Sequence, residues 1–281
     1  LQGATGTGKE LTARVIHMNS ACKDEPFIVF DCSSVVDTII ESELFGHEKG
    51  AFTGADQTTT GKIELAGAGT LFLDEISQLP LKIQGKLLGF LQRREFTRVG
   101  GTRVLKSNCR IVAASNQNLS ELVDRGRFKQ DLYYRLKVFT IHLPPLEERL
   151  SDIPFLVEHF LNKINQDLGT GVTKIQNGVM ERLRRHRWKG NVRELENTIV
   201  QALVGCRGNV LLRDDIDRIL DQHRLEPVQG LESFSLAHVE KHHIARTLSQ
   251  LGWNKSRAAR LLQITLPTLR SKIKKYGIRP D

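Results

Sequence analysis

The first 143 residues alternate short apolar runs with stretches of helical periodicity. Four apolar runs predict buried strands, at residues 26–32, 69–75, 109–115 and 138–143. Between them lie amphipathic stretches such as 81–92, in which leucines recur on one helical face. Strands that alternate with helices favour a parallel sheet covered on both faces, so residues 1–143 predict an α/β domain.

The pattern changes after "LPPLEER" (143–149), whose tandem prolines end regular structure. Beyond them the periodicity is helical only, at residues 151–168, about 176–187, 191–206 and 214–220. These stretches predict a small helical domain over residues 144–223. Residues 224–233 contain Pro227 and Gly230 and predict a linker.

The last segment, 234–281, predicts an all-helical module. Within it, residues 254–278 predict a helix, a turn and a second helix, and an earlier helix at about 234–251 would brace the pair. Thr265 can cap the second helix, and Pro267 suits its first turn. Apolar side chains mark the inner faces of the two helices, namely Ala258, Ala259, Leu261, Leu262, Leu269, Ile273 and Tyr276.

Charge separates this segment from the rest of the chain. The net charge is +9, and residues 234–281 hold ten Lys or Arg against two acids, a net +8. A short helix-turn-helix module with nearly all the excess charge predicts double-stranded DNA as its partner. The candidates for DNA contact are Lys255, Thr265, Thr268, Arg270, Lys272 and Lys274.

Composition bounds the class of protein. The chain has 40% hydrophobic residues and no apolar run near ~20 residues, so no membrane span is expected. Its four cysteines lack a C-x-x-C spacing, which is typical of reduced thiols in a cytoplasmic protein. The opening "LQG" is an unusual start, and we expect that a longer chain precedes it.

The stretch "GATGTGKE" (3–10) nearly matches the phosphate-loop pattern G-x-x-x-x-G-K-[ST]. Glycines permit a tight loop whose N–H groups face phosphate oxygens, and Lys9 can reach the β and γ phosphates. Glu10 stands where a hydroxyl normally helps to hold Mg²⁺. Taken alone, the motif could also be a glycine-rich turn before a helix. The nucleotide-binding candidates are Gly3, Ala4, Thr5, Gly6, Thr7, Gly8, Lys9 and Glu10.

Two acids end the predicted strand at 69–75. Asp74 is placed to hold Mg²⁺ beside a phosphate loop, and Glu75 to polarise an attacking water. Asn116 ends the next strand and would approach the γ-phosphate if that strand neighbours Asp74. Arg135 lies on a short helix with aromatic anchors. Asn116 and Arg135 could equally be solvated surface groups. The catalytic candidates are Lys9, Asp74, Glu75, Asn116 and Arg135.

A further motif indicates a family. "GAFTGA" (50–55), with "GTLFLDE", "DLYYRL", "PPLEER" and "GNVRELEN", resembles the AAA+ ATPase domain of bacterial sigma-54 enhancer-binding proteins over essentially the whole chain. The basic segment resembles the Fis-type module that ends such proteins. The resemblance implies an AAA+ P-loop fold with a helical lid, bound ATP and Mg²⁺, and a bacterial cytoplasmic location at the nucleoid.

The resemblance also implies roles for particular residues. The sigma-54 contact would be made by Gly50, Ala51, Phe52, Thr53, Gly54 and Ala55. Arg135 matches the finger arginine that enters a neighbour's site in a homo-oligomer, from dimer to hexameric ring, and Arg193 matches the sensor arginine of the lid. The family's phosphate loop has G-K-E, so Glu10 is expected there. The implied activity is ATP hydrolysis that remodels sigma-54 RNA polymerase into the open complex.

Four positions before the basic segment depart from the family pattern, and within that segment Gln263 and Leu266 replace a frequent Gly and Arg. Ala4 replaces a usual Glu, Lys129 a common second finger arginine, and Lys189 a usual Pro. Asp31 replaces the Asn that pairs with the water-activating glutamate, and two acids can share that hydrogen bond only if one is protonated. An alternative function is a DNA-binding repressor whose AAA+ domain serves mainly for oligomerisation. The intact "GAFTGA" loop argues against it.

Overall fold

The computed structural model describes residues 1–33, 37–206, 208–224, 244, 247–248, 253–262 and 264–277. The chain divides into two compact units, Leu1–Asp221 and Gln222–Asp281. Among the helices in the described part, none is long and apolar enough to cross a membrane.

The strands are short and lie mainly in the first half of the chain. They are β1 (Phe27–Asp31), β2 (Thr70–Asp74), β3 (Glu95–Thr97), β4 (Val104–Lys106), β5 (Arg110–Ala113), β6 (Lys174–Ile175) and β7 (Val210–Leu211). The helices up to the lid's end are α1 (Lys9–Met18), α2 (Asp37–Phe45), α3 (Lys62–Ala66), α4 (Leu81–Arg93), α5 (Leu119–Asp124), α6 (Gln130–Leu136), α7 (Ile153–Leu168), α8 (Val179–Arg185), α9 (Asn191–Gly205) and α10 (Arg213–Arg224).

A parallel sheet in the order β1-β2-β5 organises the first domain, as the alternating pattern predicts. The central strand β2 is buried from Thr70 to Leu73, and its last residue, Asp74, pairs in register with Asp31. Carboxyl ends of parallel strands meet at one edge of a sheet. This places Asp31, Asp74 and the residues after β5 together at the edge where α/β proteins bind ligands.

The fourth predicted strand, 138–143, is wrong. Gln2 pairs with Ser115 on one side and His142 on the other, each through a single parallel bridge. Val138 and Phe139 are exposed, Phe139 by 90%, because the helix α6 ends only two residues before Val138 and the segment meets the sheet edge only near His142. The apolar side chains of this segment are mostly exposed, although their pattern predicts a buried strand.

The helical domain after the prolines contains the four predicted helices, now seen as α7 to α10. Apolar faces of α7 and α9 pack against each other around the buried Trp188, whose Nε1–H donates to the Leu183 carbonyl at 2.8 Å. The short parallel pair β6-β7 joins this domain and was not predicted.

The second unit contains the helix-turn-helix as α11 (Lys255–Leu261) and α12 (Leu266–Tyr276). Thr265 caps α12 as predicted, since its Oγ1 accepts the Thr268 N–H at 3.3 Å. A small core forms at Ala258, Ala259, Leu269, Ile244 and Leu248. Arg224, the first residue of the predicted linker, ends α10. The rest of the linker (225–233), the turn residue Gln263 and most of the bracing helix at 234–251 lie outside the described residues.

Candidate functional site

The phosphate loop joins the sheet edge to α1. Gly6 and Gly8 adopt φ values of 80° and 99°, which side-chain-bearing residues rarely adopt, and Gly8 is the N-cap of α1. The positive end of α1 therefore opens towards the loop, where it favours an anion. Lys9 is buried, and its Nζ donates to the Gly3 carbonyl at 3.0 Å and to the Ala4 carbonyl at 3.3 Å.

Glu75 stands beside that lysine. Its Oε1 lies 3.7 Å from the Nζ of Lys9, and its backbone has the left-handed φ of 50° and ψ of 46°. For a non-glycine residue that conformation costs of order 1–2 kcal/mol, and such strain is concentrated at functional sites. The turn that follows β2 thus directs the Glu75 carboxylate back towards the phosphate loop.

Asp74 has an unfavourable environment for its charge. Burial raises the pKa of its carboxyl, and nearby Asp31 and Glu10 raise it further, although the Glu75 N–H and Lys9 act in the opposite direction. A partly buried carboxylate among other acids suits a divalent cation, which would supply the missing positive charge. Among the described residues, no group of three or more His, Cys, Asp or Glu could hold a metal. The position of Asp74 beside the phosphate loop suits a cation that phosphate oxygens and water also ligate.

Glu10 pairs with an arginine of its own helix. It is half exposed on the first turn of α1, and its Oε1 accepts from Arg14 Nη2 at 2.7 Å. Asp31, the departure noted above, also has another partner, since its Oδ1 accepts the Ser33 N–H at 2.9 Å.

Asn116 connects the acidic pair with the phosphate loop. Its Nδ2 donates to the Thr5 Oγ1 at 3.1 Å, and its backbone N–H donates to the Glu75 Oε2 at 3.4 Å. The structure therefore brings Lys9, Glu75 and Asn116 together around the loop, as the sequence-based hypothesis requires.

Arg135 is placed elsewhere. It is exposed on α6, and its Nη2 donates to the Leu91 carbonyl at 3.1 Å, near the end of α4. The buried Leu132 anchors α6 in the core of the domain. Lys129, the N-cap of α6, is fixed by its backbone N–H, which donates to the buried Gln84 Oε1 at 2.7 Å.

The lid contacts the phosphate loop directly. Arg193, at the start of α9, is exposed, and its backbone N–H lies 3.4 Å from the Gly6 carbonyl. Two residues that sequence reasoning missed also contact the loop through their side chains, namely Arg149 and Asn191. Both residues stand in motifs that the sequence shows, Arg149 in "PPLEER" and Asn191 in "GNV". Periodicity alone does not indicate which polar side chains contact another domain.

The "GAFTGA" loop is an exposed turn on a fixed base. Gly50 and Gly54 have φ values of 81° and 95°, and the Gly50 N–H donates to the Ala55 carbonyl at 2.8 Å. Thr53 is exposed, and Phe52 is 40% exposed, with its ring 5.0 Å from that of His47. An exposed aromatic on a glycine-bounded tip suits contact with a protein partner.

The base of this loop is held by ion pairs and backbone bonds. Arg98 bonds Glu48 at 3.0 Å and Glu64 at 2.9 Å, and His47 exchanges two backbone hydrogen bonds with Thr59. Val99, in the turn between β3 and β4, donates to the Gly46 carbonyl at 2.9 Å. The loop thus lies next to the β3-β4 turn.

The DNA-contact candidates lie on or beside the two helices of the second unit. Lys255 and Arg270 are exposed, Lys272 is half-buried, and the hydroxyls of Thr265 and Thr268 bond each other at 2.7 Å. Lys274 belongs to α12, but its side chain is outside the described part of the structure.

Comparisons with known proteins match the whole chain. The family model described as "Sigma-54 interaction domain" matches residues 1–142, an AAA+ ATPase lid domain matches 147–230, and a Fis-family bacterial regulatory domain matches 235–276. The chain is 44% identical to a signal-transduction and transcriptional-control protein of Clostridium beijerinckii, over 99% of this chain and 44% of that protein. It is 42% identical to the regulatory protein AtoC of Escherichia coli, over 100% and 62%.

A solved structure has the same fold. The crystal structure of NtrX from Brucella abortus in complex with ADP is similar with a TM-score of 0.73 and 31% identity, over 99% of this chain and 63% of that one. The chain thus spans less than two thirds of the length of these relatives. The AAA+ fold, the lid and the Fis-type module are confirmed, and the chain belongs to the sigma-54-dependent enhancer-binding proteins.

Proposed function

We propose that this protein hydrolyses ATP to activate transcription by sigma-54 RNA polymerase. The observation that supports this best is the meeting of Lys9, Glu75 and Asn116 at the phosphate loop, where each contacts another or the loop within 3.7 Å. A lysine, an activating carboxylate and a polar sensor are what phosphoryl transfer to water requires of a protein.

Each group has a distinct task in hydrolysis. Lys9 and the loop N–H groups bind the phosphates, and Lys9 stabilises charge on the transferred phosphoryl group. Asp74 would hold Mg²⁺, which neutralises phosphate charge when bound. Glu75 accepts a hydrogen bond from the attacking water and draws off its proton. Asn116 holds Glu75 and senses the γ-phosphate through its amide.

Two arginines complete the site in different ways. Arg193 lies in the first turn of the lid helix α9, next to the phosphate loop, so it can reach a phosphate bound there. Arg135 is exposed on α6 and bonds the Leu91 carbonyl, so it is available to the site of a second copy. An arginine supplied in this way is worth ~10³–10⁵ in rate. We therefore propose a homo-oligomeric ring with shared sites.

Two other parts of the chain would bind the partners of the protein. The exposed Phe52 and Thr53 would contact sigma-54, and ATP turnover would move their loop. The α11-α12 module would bind upstream double-stranded DNA through its basic residues, which places the protein at the bacterial nucleoid. We propose the domain division 1–143, 144–223, linker 224–233 and 234–281.

The first prediction tests the catalytic assignment. Glu75→Gln keeps the shape of the side chain but removes its basicity, so turnover should fall by about 10²–10⁴-fold while ATP still binds. Steady-state phosphate release and equilibrium binding of a fluorescent ATP analogue measure the two effects. The matched control is Glu181→Gln, an exposed glutamate on the lid helix α8.

Undiminished hydrolysis by Glu75→Gln would refute the role of Glu75. A wild-type protein that assembles and binds DNA but does not hydrolyse ATP would instead favour the repressor alternative.

A further inference from the structure

The lid holds the phosphate loop through two side-chain donors. Asn191 Nδ2 donates to the Thr5 carbonyl at 3.0 Å, and Arg149 Nη2 donates to the Thr7 carbonyl at 2.7 Å. Both donors belong to the helical part of the chain. In sequence, Arg149 is 142 residues away from Thr7, and Asn191 is 186 residues away from Thr5. The loop that binds phosphate is therefore bonded across the junction of the two domains.

The lid backbone holds the peptide between these two. The Val192 N–H donates to the Gly6 carbonyl at 2.9 Å, and a Cβ at Gly6 would collide with the Gly190 carbonyl. Three successive carbonyls of the phosphate loop, those of residues 5, 6 and 7, thus accept hydrogen bonds from the lid.

These contacts fix the direction of the loop's N–H groups. In a planar trans peptide the N–H points opposite to the C=O. When the Thr5 and Thr7 carbonyls turn to the lid, the N–H groups of Gly6 and Gly8 turn to the other side. Such N–H groups are what binds the phosphate oxygens in a loop of this kind.

Both donors are themselves held in place. Asn191 is only 2% exposed, has a left-handed φ of 55°, and its Oδ1 accepts the Leu146 N–H at 2.8 Å. The side chain of Arg149 is 25% exposed, and its Nη1 lies 4.0 Å from Asp152 Oδ2. Their geometry is therefore set by the lid and its connecting segment, and not by the loop that they hold.

We propose that Arg149 and Asn191 are positioning residues that orient the phosphate loop for nucleotide binding. The inference rests on the proposed ATP site and adds how the lid acts on it. Because the carbonyls and the phosphate-binding N–H groups belong to the same peptides, lid position and nucleotide affinity are coupled. Coupling of binding equilibria is reciprocal, so bound nucleotide should tighten the lid in turn.

The test separates nucleotide affinity from chemistry. Arg149→Met removes the donor to Thr7 but keeps much of the apolar stem, so the KM for ATP and the Kd for ADP should each rise about 10-fold. At saturating ATP the kcat should stay within about threefold, because no reacting group has changed. Arg149→Lys restores a donor and should recover part of the affinity.

Arg182→Met is the matched control. Arg182 lies in the lid and bonds Asp217 at 2.5 Å and Asp221 at 3.4 Å, within the lid. It should lower the melting temperature without changing the KM. Asn191→Asp gives a second probe, since it keeps the acceptor for Leu146 but presents an oxygen to the Thr5 carbonyl, and it should also raise the KM.

The outcomes are distinguishable. If the wild type does not bind ADP, the proposed function fails. If the wild type binds ADP and both Arg149→Met and Asn191→Asp bind it equally well, the positioning role is overturned. A purely structural role would make Arg149→Met resemble Arg182→Met, with a lower melting temperature and an unchanged KM.

Discussion

At the scale of single residues, the ionised carboxylate of Asp74 lowers the free energy of unfolding. Its carboxyl is half-buried at the end of β2, opposite Asp31 in the sheet register, and its pKa lies above the ordinary value of 3.8. The folded protein therefore binds the proton of Asp74 more tightly than the unfolded chain does. By linkage, the contribution of this group to the free energy of unfolding is greatest below pH 3.8 and falls as pH rises through the folded pKa.

Asp74→Asn should therefore stabilise the protein at neutral pH while abolishing ATP hydrolysis. It removes a desolvated charge, and a single stabilising substitution commonly adds about 0.5–2 kcal/mol to the free energy of unfolding. The decline in stability with rising pH that this carboxyl causes should disappear. Thermal melts between pH 4 and 8, with phosphate release at pH 7.5, measure both effects.

Asp24→Asn, in an exposed turn, is the control and should leave both the melting profile and hydrolysis unchanged. A variant Asp74→Asn that melts below the wild type at neutral pH would show that the ionised carboxylate is stabilised by its surroundings, contrary to this account.

At the scale of elements, the "GAFTGA" loop depends on the turn between β3 and β4. Gly100 has φ of 75°, and a Cβ added there would lie 2.7 Å from the Cβ of Ala51. Glu48 and Arg98 join the bases of the two loops. The position of the loop tip is therefore set partly by a turn more than 40 residues further along the chain.

Gly100→Ala should displace the loop without touching the phosphate site. The substitution forces a side chain into the left-handed region, at about 1–2 kcal/mol, and pushes against Ala51. We expect nearly normal ATP hydrolysis but a severe loss of open-complex formation at a sigma-54 promoter. Gly126→Ala is the control. Gly126 has φ of 67° and open space around it, so this variant has the backbone cost without a collision. Equal transcription by the two variants would contradict the coupling.

Elements with a continuous apolar run or a long helical period could be predicted from the sequence, and elements with neither could not. The strands β1, β2 and β5 follow from their apolar runs, and the helices α4 and α7 follow from their apolar periodicity. The hairpin of β3 and β4 has three residues in each strand, too few to show a period. Segment 138–143 has an apolar pattern but pairs only around His142, where Ile141 and Leu143 form backbone hydrogen bonds with Gln2.

The site was predictable where chemistry is local to a motif. Lys9 and the pair Asp74 and Glu75 stand within recognisable strings, and the sheet register brings them together. Arg149 and Asn191 act across the junction of two domains, and only tertiary packing makes their contacts with the phosphate loop. The direction of the Arg135 side chain, towards Leu91, was likewise set by packing of α6 on α4.

At the scale of the whole molecule, the proposed ring would divide each active site between two copies. The phosphate loop, Glu75 and Asn116 lie together, while Arg135 is exposed on α6 and bonds the Leu91 carbonyl. If Arg135 serves the site of a neighbouring copy, then each active site needs Glu75 from one copy and Arg135 from the next. Two differently inactivated copies should then complement each other.

Mixing Arg135→Ala with Glu75→Gln should restore ATP hydrolysis that neither variant shows alone. In a randomly mixed 1:1 ring, about one quarter of the interfaces join an intact Glu75 to an intact Arg135, so about a quarter of the wild-type rate should return. Phosphate release is followed as the ratio of the two variants changes, at a protein concentration where the wild type is fully active. The matched control replaces the Glu75→Gln partner with the double variant Glu75→Gln/Arg135→Ala, which cannot supply Arg135 to a neighbouring copy. This mixture should restore no ATP hydrolysis. Full activity of Arg135→Ala alone, or no recovery in any mixture, would show that Arg135 does not complete the active site of a neighbouring copy. Catalysis would then not require the ring.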